Sequence, residues 1–389
     1  MAHYFSNFRI PPFGRLRRNT DTLVAHMIPT QPPEEEEPFK PFIPPGCEDE
    51  DEELMEREHE FDNDGPVIPN KLLELKVYRY RSSKDAWKHA PTVGMRIDPE
   101  REAELDERKP PMSQVRIITW NVDFAAAHHE ERLTAALRHI QRDVLNGKDS
   151  DEEGSAPEPC CILLQEVLAS AVPHLLRDAW VRRWFVVTPH TPAKWPEDAR
   201  YGSITLVSRS LSIAESHILH FGLSHMGRAA LCVKIRLSVP GSQEKVVVAI
   251  VNTHLESLPQ GEIARPKQLE MSARFLRLAG VHGGVIAGDM NAIGPKDAMI
   301  GKQLGLRDAW RKGDIDAGKT WGYQGNDGHP PGRLDKIFYL PGMAYKVDEP
   351  KRIGVGEKIR DGTDQAMWIS DHYGLETTLR LSKPRSNSA

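Results

Sequence analysis

The sequence predicts an α/β fold, a four-layered sandwich in which two packed mixed sheets are flanked by helices. The first observation is a series of short, β-branched apolar runs that end in polar residues, beginning at Val115. The second is that stretches of helical period separate some of these runs. The third is their extent, because about 275 residues of mixed strands and helices suit one α/β domain with two sheets.

The strand-forming runs share strand length, β-branched residues and bounding turn formers. In chain order they are "VRIITWN", "CCILLQE", "WFVVTP", "SITLVSR", "AALCVKIRL", "KVVVAIVNTHL", "GGVIAGDMN", "LDKIFYL" and "GLETTLRL". Two helices are predicted between them, in "EERLTAALRHIQRDVL" and "RPKQLEMSARFLRLAG", where apolar residues recur three and four apart. Gly280 is expected to stop the second helix, as glycine does just past a C-terminus.

Residues 1–68 differ in composition from this body. They are rich in proline and acids, and the first 112 residues hold 16 Lys plus Arg against 24 Asp plus Glu, whereas the remainder holds 35 against 32. Such a composition predicts a disordered leader, either a solvated linker or an acidic tail that binds a protein partner. Residues 69–112 contain "LLELKVYRYRSS" and are expected to form an arm or linker before the folded domain at 113–389.

The sequence also limits the cellular compartments in which the protein is expected. No apolar run approaches the roughly 18 residues of a membrane span, and the N-terminus has no apolar core of a secretory signal, so neither membrane insertion nor secretion is expected. The four cysteines show no CxxC spacing, which argues against a zinc site or a disulfide framework. We expect the nucleus and/or the cytoplasm. A mitochondrial presequence is less favoured, since Pro11 and Pro12 interrupt any amphipathic helix near the N-terminal arginines.

Polar residues of related chemistry follow many of the predicted strands. They are Asn121, Glu166, His254, Ser257, Asp289, Asn291, Asp335, Asp371 and His372. Strand ends at one edge of a sheet lie close together, so these oxygen and imidazole groups can assemble a hard-cation site beside a place for a phosphate. Each alone has another explanation. Asp289 and Asn291 suit a tight turn, Glu166 suits a helix N-terminus, and a single His254 suits a structural hydrogen bond.

Six motifs together resemble one family. "TWNVD", "LQEV", "NTHLES", "GDMN", "RLDKIF" and "SDHYGL" occur in the order found in the endonuclease/exonuclease/phosphatase superfamily of magnesium-dependent phosphoesterases, between Val115 and Leu381. Within it the sequence most resembles the 5′-tyrosyl-DNA phosphodiesterases, through these motifs together with "MGR" at 226–228 and "TW" at 320–321. The resemblance implies that residues 113–389 form the catalytic domain.

The resemblance implies roles for the strand-end residues. Asp289 would orient the attacking water and Asn291 would contact the phosphate. Glu166 would be the principal Mg²⁺ ligand, with Asn121 beside the metal and the reacting phosphate.

Further groups would stabilise charge. His254, Ser257 and His372 would donate hydrogen bonds to the non-bridging phosphate oxygens. Asp371 would orient the His372 imidazole. Asp335 would support either a residue that binds the metal or His254, through a hydrogen bond from outside the metal site.

The sequence departs from the tyrosyl-DNA enzymes at two places. Those enzymes continue "HLES" with Thr-Arg and "GD-N" with Leu-Arg, whereas this chain has "LP" at 258–259 and "AI" at 292–293. Arg228 and Arg265 are the candidates to take over the missing contacts. Trp321, Tyr201 and Tyr323 are candidates to stack on a base or on a phenol leaving group, with core packing as the alternative for each and the favoured one for the two tyrosines.

The function expected from the resemblance is that of a phosphodiesterase dependent on Mg²⁺, or on Mn²⁺, that acts on DNA ends carrying a 5′-tyrosyl adduct in DNA repair. One alternative is another enzyme of the superfamily, acting on abasic DNA, RNA tails or a phosphoinositide. A second alternative is a non-catalytic adaptor that recruits partners through its acidic leader. The complete set of polar strand ends argues against the adaptor.

Overall fold

A computed structural model of the chain describes residues 68–95, 111–147, 155–311, 313–325, 328–360 and 365–383. The α-helices in these ranges are α1 (His129–His139), α2 (Val172–Arg177), α3 (Ala179–Trp184), α4 (Ala264–Arg274), α5 (Asp297–Gln303) and α6 (Ile315–Gly318). The first strands are β1 (Leu72–Glu74), β2 (Tyr78–Arg81), β3 (Ala86–His89), β4 (Gln114–Asn121), β5 (Cys160–Leu168), β6 (Phe185–Thr188), β7 (Tyr201–Ser208), β8 (Ser212–His220) and β9 (Ala229–Ser238). The remaining strands are β10 (Lys245–His254), β11 (Val281–Asp289), β12 (Arg307–Asp308), β13 (Asp335–Tyr339), β14 (Tyr345–Val347), β15 (Lys351–Ile353), β16 (Lys358–Arg360), β17 (Ala366–Trp368) and β18 (Gly374–Leu381).

Two large mixed sheets carry most of these strands. The first has the order β1-β8-β9-β10-β11-β13-β12, and the second has the order β14-β18-β4-β5-β7-β6-β2-β3, with β15 also paired to β18. β16 and β17 form a separate two-stranded sheet. In each large sheet the pair that bears the catalytic motifs is parallel, β10 with β11 and β4 with β5.

Alternation along the strands builds the layers. Ile117 and Ile250 point into a shared core between the sheets, while the adjacent Ile118 and Val251 point outward. The outward face of the second sheet packs on α1 to α3, and that of the first packs on α4 through Leu269. The predicted four-layered α/β sandwich is therefore confirmed.

The predicted helices occur, with irregular ends. α1 runs into a π-helical turn at Ile140–Val144, which completes the predicted stretch, and α4 continues as a 3₁₀ turn at Phe275–Arg277. Gly280 follows that turn with a φ of 76°. None of the described helices is both long and apolar enough to cross a bilayer.

The N-terminal segments differ in what the structure shows of them. Residues 1–67 lie outside the described residues, so the disordered leader stays a prediction. β1 pairs with β8 in the first sheet, and β2 pairs with β6 in the second. The segment expected to be an arm or linker thus adds strands to both sheets.

Strand β8 was not predicted from the sequence. Its run "SIAESHILH" carries Glu215, Ser216 and His217 in the middle, which breaks the apolar signal. These polar residues are accommodated because β8 lies between β1 and β9, and Glu215 pairs with Lys234 of β9 at 3.0 Å.

Candidate active site

The catalytic motifs meet because both parallel strand pairs end at the same place. Asn121 of β4 lies in register with Gln165 of β5, and His254 of β10 lies in register with Asp289 of β11. A hydrogen bond of 3.1 Å from Asn121 Nδ2 to Asp289 Oδ2 joins the two pairs across the sandwich. Each sheet therefore contributes one half of the site.

Gly288 explains why the fourth motif begins with glycine. Its φ is 149°, and a Cβ atom there would lie 1.8 Å from the carbonyl oxygen of Thr253 on the neighbouring strand. Only glycine allows this conformation and this close approach. The result is that Asp289 and His254 end their strands side by side.

Glu166 is turned into the site by an irregularity in β5. The pairing of β5 with β7 shifts register between Leu164 and Val167, and Glu166 has a φ of 58°, in the left-handed region. Bulges of this kind re-aim side chains near active sites. Its carboxylate is 6% exposed and accepts a hydrogen bond of 3.2 Å from Phe124 N. Burial, followed by the nearby charge of Asp371, raises the pKa of Glu166 to about 7.

Asp289 is the centre of the constellation. Its Oδ1 accepts from Asn291 N at 2.8 Å, and its Oδ2 lies 3.4 Å from His254 Nε2 and 3.8 Å from His372 Nε2. Burial, followed by the charge of Asp335, raises the pKa of Asp289. A carboxylate with a raised pKa between two imidazole groups is suited to take a proton from a bound water.

Arg228 fixes the protonation state of His254. An Arg228 Nη1 lies 2.8 Å from His254 Nδ1. Because a guanidinium group only donates, Nδ1 must accept, and the imidazole carries its proton on Nε2. Burial, followed by the charge of Arg228, lowers the pKa of His254 well below its ordinary value. His254 is thus a neutral donor whose Nε2 has no hydrogen-bond partner among the described residues.

His372 is in the opposite state. Its Nδ1 lies 2.8 Å from Asp335 Oδ2 in a buried pair. Burial lowers the pKa of His372, but the charges of Asp335, Asp371 and Asp289 together outweigh it and hold the pKa well above its ordinary value. These charges favour the charged imidazole, whose Nε2 lies 3.8 Å from Asp289 Oδ2 and 3.9 Å from Asp371 Oδ1.

The orienting carboxylate is not the one assigned from the sequence. Asp371 was expected to hold His372, but its Oδ1 lies 3.9 Å from Nε2, while Asp335 occupies Nδ1. Asp335 was expected to serve the metal shell or His254. The reason for the exchange is that β13 lies beside β11, which brings Asp335 opposite Asp289. Asp371 instead accepts a hydrogen bond of 3.0 Å from Trp321 Nε1.

Two acidic groups could hold a cation. In one, ligand atoms of Asp289, Asp335 and His372 lie within 4.8 Å of one another. In this group His372 Nδ1 already pairs with Asp335 Oδ2 at 2.8 Å, and Asp289 Oδ2 accepts from Asn121 Nδ2 at 3.1 Å, so these ligand atoms already have partners within the chain. The other combines Glu166 with Asp371, where burial, followed by the charge of Asp371, raises the pKa of Glu166. These two carboxylates offer oxygen donors only, which fit a hard divalent cation.

The remaining phosphate-binding candidates take two different positions. Ser257 Oγ accepts from Arg228 Nη2 at 2.8 Å, so both residues lie beside His254. Asn291, with a φ of 46°, uses its side-chain amide to hold the carbonyl of Leu255 at 2.9 Å.

Arg265 lies outside the site, contrary to the sequence assignment. It is 1% exposed and forms a bidentate pair with Asp297, at 2.8 and 3.0 Å. Its Nη1 also donates to the carbonyl oxygens of Glu256 and Leu258. Because α4 turns this side chain inward, Arg265 braces the two loops that follow His254 and Asp289 and has no surface left for a substrate.

The aromatic candidates surround the same edge. Tyr201 stacks on Phe124 with ring centroids 3.8 Å apart, and Arg228 lies over its ring at 5.5 Å. Trp321 is half-buried, and Tyr323 is 41% exposed. The ring of Tyr201 thus already has protein partners, and stacking on substrate remains a prediction for all three residues.

Two residues that were given no role from the sequence support the site. Arg132 of α1 is 2% exposed and donates to Asp123 Oδ2 at 2.9 Å and to backbone carbonyls of the same loop. Ser370 donates to the carbonyl of Asn121 at 2.6 Å and accepts from His372 N. An arginine on the apolar face of a predicted helix was the available signal for Arg132, and the "SDH" motif was the signal for Ser370.

A profile of the Endonuclease/Exonuclease/phosphatase family matches residues 118–372, which is more than half of the chain. That interval begins in β4 and ends at His372, so it contains each of the strand ends described above. Among curated proteins none matches significantly.

Solved structures show the same fold. D. rerio TDP2, described as complexed with a single-strand DNA product, is 22% identical with a TM-score of 0.52, covering 69% of this chain and 99% of its own. Truncated Caenorhabditis elegans TDP2 is 20% identical with a TM-score of 0.51, covering 69% and 97%. An endonuclease/exonuclease/phosphatase family protein from Bacteroides thetaiotaomicron is 12% identical with a TM-score of 0.51, covering 70% and 99%.

Proposed function

The chain belongs to the endonuclease/exonuclease/phosphatase family and is a hydrolase of phosphodiester bonds; on that premise we propose that it is a Mg²⁺-dependent phosphodiesterase acting on DNA ends with a 5′-tyrosyl adduct. The observation that carries the chemistry is the buried arrangement of Asp289 between His254 and His372, at 3.4 and 3.8 Å. No ordinary structural role explains a neutral and a charged imidazole that converge on one carboxylate.

Asp289 activates the attacking water in this proposal. Its Oδ1 is held by Asn291 N and its Oδ2 by Asn121 Nδ2, so the carboxylate cannot rotate. Because burial raises its pKa, Asp289 accepts a proton more readily than an exposed aspartate does.

The two histidines stabilise the phosphate as negative charge develops on it. His254 donates from Nε2 as a neutral group, held by Arg228, and His372 donates from Nε2 as a cation, held by Asp335. Fixed donors in a buried site are worth more than the same donors in water, since they need no reorganisation during the reaction. Ser257 extends this set beside Arg228.

Glu166 would hold the metal, with Asp371 and the amide oxygen of Asn121 as further oxygen donors. Bound there, a divalent cation supplies Lewis-acid polarisation of the phosphoryl oxygens and the leaving group. The absence of thiolate among the donors favours Mg²⁺, with Mn²⁺ as a substitute.

The substrate is inferred from the motifs, from a relative of the same fold and from the rim of the site. The motif order resembles the tyrosyl-DNA enzymes, and the D. rerio relative of the same fold is described with a single-strand DNA product. Trp321, half-buried beside Asp371, offers a ring for a phenol or a base. We place this activity in the nucleus and/or cytoplasm. A protein partner for the acidic leader belongs to the same proposal, although the leader lies outside the described residues.

The experiment is a comparison of matched oligonucleotides incubated with the full chain and Mg²⁺. They carry a 5′-phosphotyrosine, a 3′-phosphotyrosine, an abasic site or no lesion. We expect release of tyrosine from the 5′ adduct only, reduced by roughly two to four orders of magnitude in Asp289→Asn, while Asp348→Asn, a surface substitution of the same type, retains full activity. Faster cleavage of the abasic or unmodified strand would refute the tyrosyl assignment, and no cleavage of any strand would refute nuclease function.

A further inference from the structure

The hairpin of β2 and β3 at the edge of the second sheet has two chemically different faces. Tyr78 and Tyr80 lie opposite His89 and Trp87, which makes one face aromatic. The alternate residues Arg79 and Arg81 share the other face, and Arg79 is in register with Lys88. Like charges directly opposite each other in a sheet are destabilising, so this arrangement needs a compensating interaction.

The aromatic face is already used by the fold. Trp87 Nε1 donates to the carbonyl of Leu176 in α2 at 3.1 Å, and Arg182 of α3 lies over the ring of Tyr80 at 4.3 Å. The basic face therefore points away from these helices. Arg81 and Lys88 are exposed on it and Arg79 is half-buried.

Arg209, which follows β7, joins this basic face. It donates to the carbonyl oxygens of Tyr80 at 2.8 Å and Arg182 at 2.6 Å, which fixes its guanidinium beside the hairpin. Burial, followed by the charges of Arg79, Arg183 and Arg81, lowers the pKa of Arg209 to about 10. Arg79, Arg81 and Arg209 thus lie close enough to repel one another, and Lys88 lies opposite Arg79.

Acidic side chains do not neutralise this group. In the part of the chain that the structure describes, no carboxylate pairs with Arg79, Arg81, Lys88 or Arg209, and Arg79 Nε is buried without a hydrogen-bond partner. Asp85 at the hairpin turn accepts from the Tyr80 hydroxyl instead. Cations of this kind are suited to an external polyanion, and the planar forks of arginine match phosphate oxygens.

We propose that this basic face, formed by Arg79, Arg81, Lys88 and Arg209, binds phosphates of the nucleic-acid strand beyond the end that is hydrolysed. The inference rests on the proposed function and adds a second contact region to it. Arg79 and Arg81 are two residues apart on one strand, about 6.6 Å along it, which presents charges in a row to a linear polyanion. A row of charges favours a strand of phosphates over a single small anion.

The location sets the length of strand that is required. β7 starts at Tyr201, beside Glu166, and ends at Ser208, next to Arg209. Its length separates the two regions by about 23 Å at 3.3 Å per residue. A stacked strand with the rise of a duplex, about 3.4 Å per nucleotide, needs roughly seven nucleotides to cover this distance, and an extended single strand needs fewer. A single strand of about three nucleotides therefore reaches the catalytic site alone.

The test compares the binding of oligo-dT of about 3 and about 20 nucleotides by fluorescence anisotropy, in EDTA to prevent turnover. In Arg79→Gln/Arg81→Gln we expect binding of the 20-mer to weaken about five- to tenfold and its salt slope to fall by about 1.4, since each phosphate contact on a single strand contributes about 0.7. Binding of the 3-mer should stay within about twofold.

The matched control is Arg311→Gln/Arg380→Gln, which removes the same charge from two exposed arginines paired with Glu349 and Asp348. It should bind both lengths like the parent, and melting temperatures confirm folding. Unchanged binding of the 20-mer in the Arg79→Gln/Arg81→Gln variant overturns the proposal. The proposal is also overturned if a poly-glutamate peptide displaces the 20-mer at the same concentration as unlabelled DNA. Turnover is measured separately. A protein that hydrolyses no oligonucleotide but still loses 20-mer binding in the variant refutes the proposed function and supports the basic face.

Discussion

The assignment of Asp335, rather than Asp371, as the partner of His372 can be tested by replacing each with asparagine. Asp335→Asn keeps the size of the side chain but removes the charge that lies 2.8 Å from His372 Nδ1. Asp371→Asn leaves that pair intact and removes the charge that raises the pKa of Glu166. The two variants should therefore fail for different reasons.

The magnitude for Asp335→Asn follows from the burial of the pair. His372 is 5% exposed and Asp335 is 1% exposed, so water screens their interaction little. Opposite charges 4 Å apart attract by about 4 kcal/mol at an effective dielectric of 20, and a hydrogen bond to a charged group is worth about 1.5 to 3 kcal/mol. Loss of about 3 to 4 kcal/mol corresponds to a turnover reduced by about two to three orders of magnitude.

The assay is steady-state turnover of a 5′-phosphotyrosyl oligonucleotide across a Mg²⁺ titration. In Asp335→Asn the maximal rate should fall while the Mg²⁺ concentration for half-maximal rate stays near that of the parent. In Asp371→Asn that concentration should rise, and added Mg²⁺ should restore part of the rate. A folded Asp335→Asn protein with turnover within threefold of the parent would refute the orienting role, and Asp348→Asn is the surface control.

Three further predictions concern the metal, the base and a buried histidine. Activity should disappear in EDTA, return with Mg²⁺ or Mn²⁺, and fall steeply in Glu166→Ala, so full turnover in EDTA would contradict a metal mechanism. Asp289→Asn should lose roughly two to four orders of magnitude in turnover, while it binds a 5′-tyrosyl oligonucleotide at least as tightly as the parent. Near-normal turnover would show that Asp289 is only a turn residue. Burial lowers the pKa of His220 to about 4, so the unfolded chain takes up a proton between about pH 6.5 and 4 that the folded chain does not. Stability should therefore fall as the pH drops through this window, by up to about 3 kcal/mol, and His220→Phe should lose that part of the pH dependence of the melting temperature.

The sequence predicted the members of the site better than their pairing. Asn121, Glu166, His254 and Asp289 each end a β-branched run, and parallel strands deliver such ends to one edge without further information. The partner of His372 was different, because the choice between Asp335 and Asp371 depends on where β13 lies in the first sheet. Asp371 is next to His372 in the chain and was therefore expected to be its partner. The position of β13 beside β11 instead makes Asp335 the partner of His372.

Arginines were the least predictable residues. Arg228 and Arg265 looked equivalent as replacements for the missing family arginines, yet only Arg228 lies beside His254. The difference comes from the elements that carry them. Arg228 directly precedes β9, at the end of the first sheet that holds His254, whereas α4 turns Arg265 toward a buried partner, Asp297. Burial of a charged group with an exact counter-charge leaves no trace in a local sequence pattern.

The relative position of the two halves of the site depends on a buried polar contact between the sheets. Gln165 Nε2 donates to Asn252 Oδ1 at 2.8 Å, and Asn252 Nδ2 in turn donates to the carbonyls of Leu164 and Ile204. Both side chains are fully buried in an otherwise apolar interior, where an unpaired amide would be costly. This bond joins the residue before Glu166 to a residue two before His254, across the two sheets. It therefore fixes the register of one half of the site against the other, because sliding either sheet by a residue would remove the partners of the Asn252 amide, all of which lie in the other sheet.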